Sequence, residues 1–299
     1  MDNLIGKKLD GRYLIESLIG VGGMANVYKG RDVRTGNQIA VKVLKEEFLD
    51  NEELVRRFKN ESKAISILNH PNIVKVYDVS VTDQLQYIVM EYIDGDNLEQ
   101  LIKKNALSAE LARKIAGQLM DALEYMHNKQ MIHRDLKPSN IMITHNGQNV
   151  KLIDFGLSDS DSFCVLKSPA GTSGYIAPEQ MLPAAKAEPR ADIYSLGMVL
   201  GDMAKATGDK ALSKMAEICS CRDPQSRPQN IAQLRQRLSC TPRYRHAVLL
   251  LCALIIALLA ALAGSYYHLE KSAQEPASSA SDSIQPNDNK VIDYQLWDK

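Results

Sequence analysis

Two features near the N-terminus have residue types that suit polyphosphate binding. The segment Gly20-Val21-Gly22-Gly23 lies between two predicted strands, where glycines let backbone amide groups approach and donate to phosphate oxygens. Lys42 ends the apolar run Ile39-Ala40-Val41, and an inward-facing lysine needs an anionic partner, for which Glu61 on the next predicted helix is one candidate. The glycine pattern alone is weak evidence, because many hairpins contain glycines and Ala25 stands where G-x-G-x-x-G has its third glycine.

Three further motifs follow along the chain. His133-Arg134-Asp135 precedes Lys137 and Asn140, Asp154-Phe155-Gly156 begins fourteen residues after Asn140, and Ala177-Pro178-Glu179 comes later. With the glycine loop and Lys42, these ordered motifs resemble the eukaryotic-like protein kinases, specifically the bacterial membrane-anchored serine/threonine kinases, over about residues 10 to 240. The resemblance implies an α+β, bilobal protein-kinase fold with a β-rich N-lobe and a helical C-lobe.

The resemblance also assigns catalytic roles. Phosphoryl transfer offers little covalent work, so catalysis consists of positioning and charge neutralisation. Asp135 is implied to orient the acceptor hydroxyl and accept its proton, and Lys137 to stabilise the γ-phosphoryl group. Lys42 is implied to hold the α- and β-phosphates of ATP and to be held by Glu61.

The same resemblance supplies a metal site and a nucleotide pocket. Mg²⁺, which Mn²⁺ could replace, is expected on Asn140 and Asp154. Adenine is expected in an apolar slot next to a gatekeeper side chain and the backbone of a hinge. The residues predicted to bind ATP are Gly20, Val21, Gly22, Gly23, Val27, Ala40, Lys42, Met90 (the gatekeeper), Glu91 and Ile93 (the hinge), and Met142.

Substrate choice and regulation follow from neighbouring residues. Lys137, two positions after the catalytic aspartate, and Gly171-Thr172 resemble kinases that modify protein serines and threonines. Arg134 implies control through a phosphorylated activation loop, because a phosphate could pair with this arginine. We favour Ser168 as an autophosphorylation site, whereas Thr172 is the other candidate and more readily shapes the acceptor site. Two copies of the chain could meet as a homodimer for this reaction.

Two residues of the predicted C-lobe are expected to be structural. Asp192 resembles the helix aspartate that braces the catalytic loop, and Arg227 resembles the partner of Glu179. A buried charge without a partner is costly, which favours such pairing.

Local patterns place the motifs on elements. Strands are predicted at Tyr13 to Ile19, Asn26 to Gly30, Gln38 to Leu44, Val74 to Val81 and Gln86 to Met90, and a helix at Asn51 to Leu68. An apolar stripe that begins after Ser108 predicts a helix, with Ser108 as its N-cap. Asn146-Gly147, between Ile141–Thr144 and Val150–Ile153, predicts a hairpin.

The C-terminal part has a different composition. Residues 247–267 contain no formal charge, and a helix of that length spans about 31 Å, which matches a bilayer core. Arg235, Arg237, Arg243 and Arg245 precede it, which predicts a single pass through the cell membrane with the kinase domain in the cytoplasm. The N-terminus lacks the apolar region of a signal peptide.

These observations divide the chain as follows: an N-terminal lead (1–10), a kinase domain (11–240) with an N-lobe (11–93) and a C-lobe (94–240), a basic juxtamembrane segment (241–246), a transmembrane helix in contact with lipid (247–267) and a disordered extracytoplasmic tail (268–299).

One departure from the family leaves alternatives open. Only thirty-five positions separate Asp192 from Arg227, about thirty fewer than the family suggests, so Lys205–Lys210 is expected to join two helices of a shortened C-lobe directly. An active kinase is our leading hypothesis. A weakly active or inactive scaffold that binds nucleotide and partner proteins is the alternative, and a receptor whose short polar tail senses a ligand is a third.

Composition sets limits on other functions. Thirty-six basic and thirty-six acidic residues balance, so charge does not favour nucleic acid as a partner. Five cysteines are too few, and odd in number, for a disulfide framework, and they are expected to be reduced. Cys219-x-Cys221 has no second ligand pair nearby, which argues against a zinc site.

Overall fold

In the computed structural model of the 299-residue chain, the structure describes residues 4–82, 85–154, 174–182, 188–239 and 242–274. The chain divides into two units, Met1–Ser239 and Cys240–Lys299. The strands are β1 (Lys8–Leu9), β2 (Tyr13–Val21), β3 (Ala25–Asp32), β4 (Gln38–Leu44), β5 (Val76–Val81), β6 (Gln86–Glu91), β7 (Gly95–Asn97), β8 (Ile141–Thr144) and β9 (Val150–Leu152). The α-helices are α1 (Glu52–Ser66), α2 (Leu98–Lys103), α3 (Ala109–Asn128), α4 (Pro189–Thr207), α5 (Lys210–Cys219), α6 (Ile231–Ser239) and α7 (Pro242–Gln274).

The N-lobe is built on an antiparallel sheet with the strand order β1-β2-β3-β4-β6-β5. Side chains alternate along β4, so Ile39, Val41 and Val43 are buried in one core cluster. The same alternation turns Ala40 and Lys42 toward the opposite face. The period-2 pattern therefore presents the lysine on the face away from that cluster.

Helix α1 covers part of the other face of this sheet. Asn51 caps it, because the Asn51 side chain accepts a hydrogen bond from the Leu54 amide at 3.1 Å. Phe58 of α1 is buried with Ala25, Leu44 and Ile88 of the sheet. The predicted helix at Asn51 to Leu68 is confirmed, with one residue fewer at its start and two fewer at its end.

The C-lobe is organised around α3. Ser108 caps this helix as predicted, with its hydroxyl accepting from the Leu111 amide at 3.1 Å. The apolar stripe of α3 is buried in a large core that also contains residues of α4, α5 and α6. A three-stranded sheet of the C-lobe, in the order β7-β8-β9, carries the predicted hairpin. Gly147 and Gln148 take positive φ angles of 79° and 48° at its turn.

The C-lobe is shortened as the sequence predicts. Helix α4 ends at Thr207, Gly208 takes a left-handed φ of 69°, and Asp209 caps α5 by accepting from the amides of Ala211 at 2.8 Å and Leu212 at 3.1 Å. Two residues therefore connect α4 to α5. The Asp209 carboxylate also pairs with Arg113 of α3 at 2.6 Å, which fixes the connection to the lobe.

Helix α7 forms the described part of the second unit. Within the described residues it is the one helix that is long and apolar enough to cross a membrane, over Leu250–Tyr267. Its apolar side chains are exposed.

Candidate active site

Lys42 makes the central ion pair of the site. On β4 it lies opposite Val27 of β3 and Ile88 of β6, and its Nζ is 2.9 Å from Asp154 Oδ1. The Lys42 charge lowers the pKa of the Asp154 carboxyl below its ordinary value, against the opposing effect of burial. The two residues are 112 positions apart in the chain, so only the fold brings them together.

Glu61 was predicted to hold Lys42. It lies on α1, the helix that packs on the sheet carrying Lys42, but its side chain is outside the described part of the structure. The Lys42–Glu61 pair therefore stays a prediction.

The catalytic-loop residues form a second cluster. Lys137 Nζ lies 2.8 Å from Asp135 Oδ2, and Asn140 Nδ2 donates to the same oxygen at 3.0 Å and to the Asp135 carbonyl at 2.9 Å. The Asp135 side chain is 18% exposed, so it is held in one orientation and still reachable by a substrate. This arrangement presents an anchored carboxylate that can accept a proton.

Asn140 and Asp154 fit the chemistry of a Mg²⁺ site. The Asn140 amide nitrogen is used by Asp135, and within the described chain no group donates to its Oδ1. Asn140 Nδ2 is 3.5 Å from the Asp154 carbonyl oxygen, and the Ile153 amide donates to the Asn140 carbonyl at 3.0 Å. The backbone segments that carry Asn140 and Asp154 are therefore hydrogen-bonded neighbours. Among the described residues no group of three His, Cys, Asp or Glu side chains could hold a metal by itself. Two protein oxygens completed by substrate phosphates are the usual arrangement for Mg²⁺.

Asp192 fixes the backbone of the catalytic loop. Its carboxylate is fully buried, and it accepts from the backbone amides of His133 at 2.8 Å and Arg134 at 2.9 Å. His127 Nε2 is 2.8 Å from Asp192 Oδ2. Burial raises the Asp192 pKa, but the hydrogen bond and charge interactions with the two histidines outweigh burial and leave it below its ordinary value.

Two residues at this site have left-handed backbone. Arg134 has a φ of 64° and Asp154 a φ of 52°, a conformation that costs about 1–3 kcal/mol for residues with a side chain. The Asp192 carboxylate holds Arg134 in this state through its amide. The conformation persists because the surrounding contacts fix it.

Glu179 and Arg227 form the second predicted structural pair. Arg227 has no exposed surface, and its two terminal nitrogens reach the two Glu179 oxygens at 2.6 and 2.9 Å. Its remaining donors bind the backbone carbonyls of Cys221, Arg190 and Arg222 at 2.6, 3.0 and 3.0 Å. The pair anchors the Ala177-Pro178-Glu179 segment to the end of the C-lobe.

The glycine loop connects β2 to β3. Gly22 donates to the Ala25 carbonyl at 2.9 Å, and a Cβ on Gly22 would lie 2.9 Å from that same oxygen, so a side chain there would force the loop to move. A Cβ on Gly20 would make only ordinary contact with Val27, and a Cβ on Gly23 would meet nothing within 4 Å. Ala25 is a buried residue of β3 without a positive φ, so the replacement of the third glycine adds no backbone strain.

The predicted adenine residues lie on both sheets. Val27 and Ala40 are on β3 and β4, Met90 pairs with Ala40 across β4 and β6, and Met142 is on β8. Glu91 ends β6, and Ile93 lies in the segment between β6 and β7 that joins the two sheets. The order of the elements thus brings the predicted slot to the junction of the lobes.

Two further contacts join residues that no sequence motif pairs. Lys151 Nζ of β9 pairs with Glu91 Oε2 at 2.8 Å, although only its alternation with Val150 and Leu152 marks it as facing away from the core. Tyr175 donates its hydroxyl to Asp202 of α4. Burial first and this hydrogen bond second raise the Tyr175 pKa, so the tyrosine stays protonated as the donor.

Several predicted features lie outside the described residues. Phe155, Gly156, Ser168 and Thr172 belong to this group, and so does the tail from residue 275 onward. Their predicted roles stay predictions.

Comparison with known proteins agrees with this geometry. The family model described as protein kinase domain matches residues 13–237. A probable serine/threonine-protein kinase of Clostridium perfringens is 45% identical over 204 residues, which are 67% of this chain and 30% of that protein. Serine/threonine-protein kinase PrkC of Bacillus subtilis is 41% identical over 204 residues, 67% of this chain and 31% of its own length. The chain thus spans about a third of the length of these relatives.

Solved structures agree on the fold. The crystal structure of the Mycobacterium tuberculosis PknI kinase domain superposes with a TM-score of 0.63 at 23% identity and covers 79% of this chain and 99% of that one. The apo form of PpkA-294 superposes with a TM-score of 0.68 at 21% identity, over 78% of this chain and 98% of that one. The bilobal architecture, the clustered motif residues and the matching family model together show that this chain belongs to the protein kinase family.

Proposed function

We propose that this chain transfers the γ-phosphoryl group of ATP to serine and threonine hydroxyls of proteins. The observation that carries the proposal is the meeting of Lys42 from β4, the Asp135–Lys137–Asn140 cluster and Asp154 after β9. These groups can neutralise phosphate charge, accept a proton and bind a divalent cation. They meet where the two lobes join. The names of the bacterial relatives support serine and threonine as the acceptors.

In the proposed reaction each side chain has a step. The acceptor hydroxyl oxygen forms a bond to the γ-phosphorus, the bond from that phosphorus to the β–γ bridging oxygen breaks, and ADP leaves. Asp135 accepts the hydroxyl proton, and Lys137 and Asn140 keep its carboxylate aimed. The Lys42 ammonium, which is paired with a carboxylate, offers its charge to the α- and β-phosphates. A Mg²⁺ ion held by Asn140 and Asp154 would neutralise phosphate charge.

The alternative is a scaffold that binds nucleotide in the same pocket but transfers little or no phosphate. The direct connection of α4 to α5 favours it to a limited degree, because the shortened lobe offers less surface to a protein substrate than the family suggests. The intact pairing of Lys42 with Asp154 and of Asp135 with Lys137 supports the enzyme.

The two functions are separated by a transfer assay on the purified full-length chain in detergent, with ATP, Mg²⁺ and casein as acceptor. We expect phosphoserine and phosphothreonine in the wild type, and a fall in rate of about 100-fold or more in Asp135→Asn, which removes the proton acceptor. Asp50→Asn is the matched control, because Asp50 is exposed and belongs to none of the motifs. Equal incorporation in wild type and Asp135→Asn, or none in either, would favour the scaffold.

Membrane anchoring through residues 247–267 is part of the proposal. It is supported by the length and apolar surface of α7 and by the arginines that precede it. We expect the kinase domain on the cytoplasmic side of the cell membrane and the tail outside. A phosphatase reporter fused after Lys299 should be active in the extracytoplasmic space, and activity of a cytoplasm-specific reporter at the same position would contradict this topology.

Autophosphorylation of the activation loop completes the proposal. Arg134, directly before the proposed base, could pair with a loop phosphate, and Ser168 is the residue we favour as the acceptor. Two membrane-anchored copies could meet as a homodimer for the transfer. Phosphosite mapping of the wild type, with Asp135→Asn as the inactive control, should find phosphate at Ser168; phosphate on Thr172 alone would reassign the site.

A further inference from the structure

A surface pocket of about 200 Å³ is lined by residues of the segment between α1 and β5, of β5 and of β9, together with Glu91 of the predicted hinge. Its floor consists of Leu68 and Ile73, which are 4% and 1% exposed, and Pro71 and Tyr77 line it as well. Charged side chains of Lys75, Glu91 and Lys151 complete the lining. An apolar floor with a few converging polar groups is the usual composition of a small-molecule site.

One wall of the pocket, the segment between α1 and β5, is fixed to the C-lobe by hydrogen bonds and a ring contact. Asn72, in the segment between α1 and β5, donates to the Val150 carbonyl at 3.0 Å and accepts at its own carbonyl from the Leu152 amide at 2.9 Å. The Asn69 amide donates to the Tyr125 hydroxyl at 3.0 Å, and the His70 ring packs on the Tyr125 ring at 5.1 Å. The wall that carries His70 is therefore fixed to β9 and α3 and does not need a ligand to order it.

The charges around this pocket do not balance. Lys151 Nζ pairs with Glu91 Oε2 at 2.8 Å, and the Lys75 amide donates to the same oxygen at 3.3 Å. The Lys75 ammonium makes no ion pair within the described part of the chain. Lys75 and Lys151 thus contribute two ammonium groups to the lining, and Glu91 contributes one carboxylate. Burial lowers the pKa of His70 against the opposing Asp121 charge, and the Lys151 charge acts in the same direction as burial, so His70 adds no positive charge near neutral pH.

We propose that this pocket binds a small organic monoanion, namely a carboxylate with an apolar body. The carboxylate would lie at Lys75 and Lys151, where one positive charge is unmatched, and the apolar body would lie against Pro71 and the exposed Tyr77 ring. The site is distinct from the nucleotide slot, because the Glu91 side chain that borders it is directed to Lys151 of β9. It requires no phosphoryl transfer, so the proposal stands or falls separately from the proposed kinase function.

Phenylacetate is a suitable probe because it is a monoanion with a compact apolar body. The full-length chain in detergent is first saturated with a non-hydrolysable ATP analogue, so that the nucleotide slot is filled, and phenylacetate binding is measured by saturation-transfer NMR. Ligands of this size bind weakly, and we expect an affinity in the low millimolar range. We expect affinity to fall at least fivefold in Lys75→Gln and in Lys151→Gln.

The control is Lys103→Gln, an exposed lysine of α2 that pairs with Glu99 and does not line the pocket. It should bind phenylacetate like the wild type. Lys75 is exposed, so Lys75→Gln should keep the melting temperature of the wild type even if Lys151→Gln is less stable. Absence of binding to the wild type, or equal affinity of the wild type and Lys75→Gln, would overturn the proposal.

Discussion

A Cβ atom on Gly197 of α4 would lie 2.7 Å from the Cβ of Cys219 at the end of α5 and 2.8 Å from the Ser220 amide nitrogen. The two helices therefore pack with almost no space between their backbones at this point. Cys219 is fully buried, and burial raises the pKa of its thiol to about 12, so it acts as an apolar packing residue. This close contact is how the shortened C-lobe closes its core.

Gly197→Ala should destabilise the protein. The added methyl group must displace α5, and overpacking of a core costs about 1–3 kcal/mol. Gly201→Ala is the matched control one helical turn away, because its Cβ would make ordinary contact with Ala216 at 3.7 Å. Alanine is also the better helix former, by about 1 kcal/mol, so Gly201→Ala should be neutral or stabilising. Urea denaturation measures both, and equal midpoints for the two variants would contradict this packing.

Lys42→Met should reduce phosphoryl transfer by about 100-fold or more, because it removes the charge that faces Asp154 and the proposed phosphates. The rate with casein and the KM for ATP are the measurements. Lys8→Met, an exposed lysine of β1, should keep the wild-type values. Full activity of Lys42→Met would show that the Lys42–Asp154 pair has no part in catalysis.

Asp192→Asn should cost about 3 kcal/mol, since it leaves His127 and the amides of His133 and Arg134 with a weaker acceptor at the buried Asp192 position. The pH dependence follows from the direction of the Asp192 pKa. The pKa is lowered in the folded protein, so above the unfolded value of about 3.9 the charged carboxylate stabilises the fold. As pH falls below about 5, the unfolded state takes up the proton first and this stability is lost.

The free energy of unfolding, measured by denaturant titration from pH 7 to pH 3, should therefore fall less steeply in Asp192→Asn than in the wild type. Asp154 also has a lowered pKa and contributes in the same direction, so the slope should shrink but not vanish. A steeper slope in the variant would refute the assignment of this titration to Asp192.

Arg227→Lys should destabilise the C-lobe by about 2 kcal/mol, although the charge is kept. A lysine cannot supply the two parallel bonds to Glu179 or reach the three backbone carbonyls that Arg227 contacts. Arg222→Lys, an exposed neighbour, is the control and should have little effect. Thermal unfolding of the two variants distinguishes them, and equal melting temperatures would count against the role of the Arg227 bonds.

Local structure was largely predictable from the sequence. The Ser108 cap, the helix after Asn51 and the hairpin around Gly147 depend on residues a few positions apart, so their patterns can be recognised directly. The direct connection of α4 to α5 could also be predicted, because the spacing from Asp192 to Arg227 is too short for further elements. The absence of backbone strain at Ala25 could not be predicted. Only its register opposite Leu44 shows that Ala25 belongs to an extended strand.

The sequence by itself determined the type of chemistry to expect, because the order and spacing of Lys42, Asp135, Asn140 and Asp154 resemble those of the protein kinases. Only the tertiary structure decided which charges meet. The Lys42–Asp154 pair, the buried His127–Asp192 contact and the Glu91–Lys151 pair join residues 60 or more positions apart. Contacts of this kind depend on packing between lobes and helices, where burial fixes partners that no local pattern specifies.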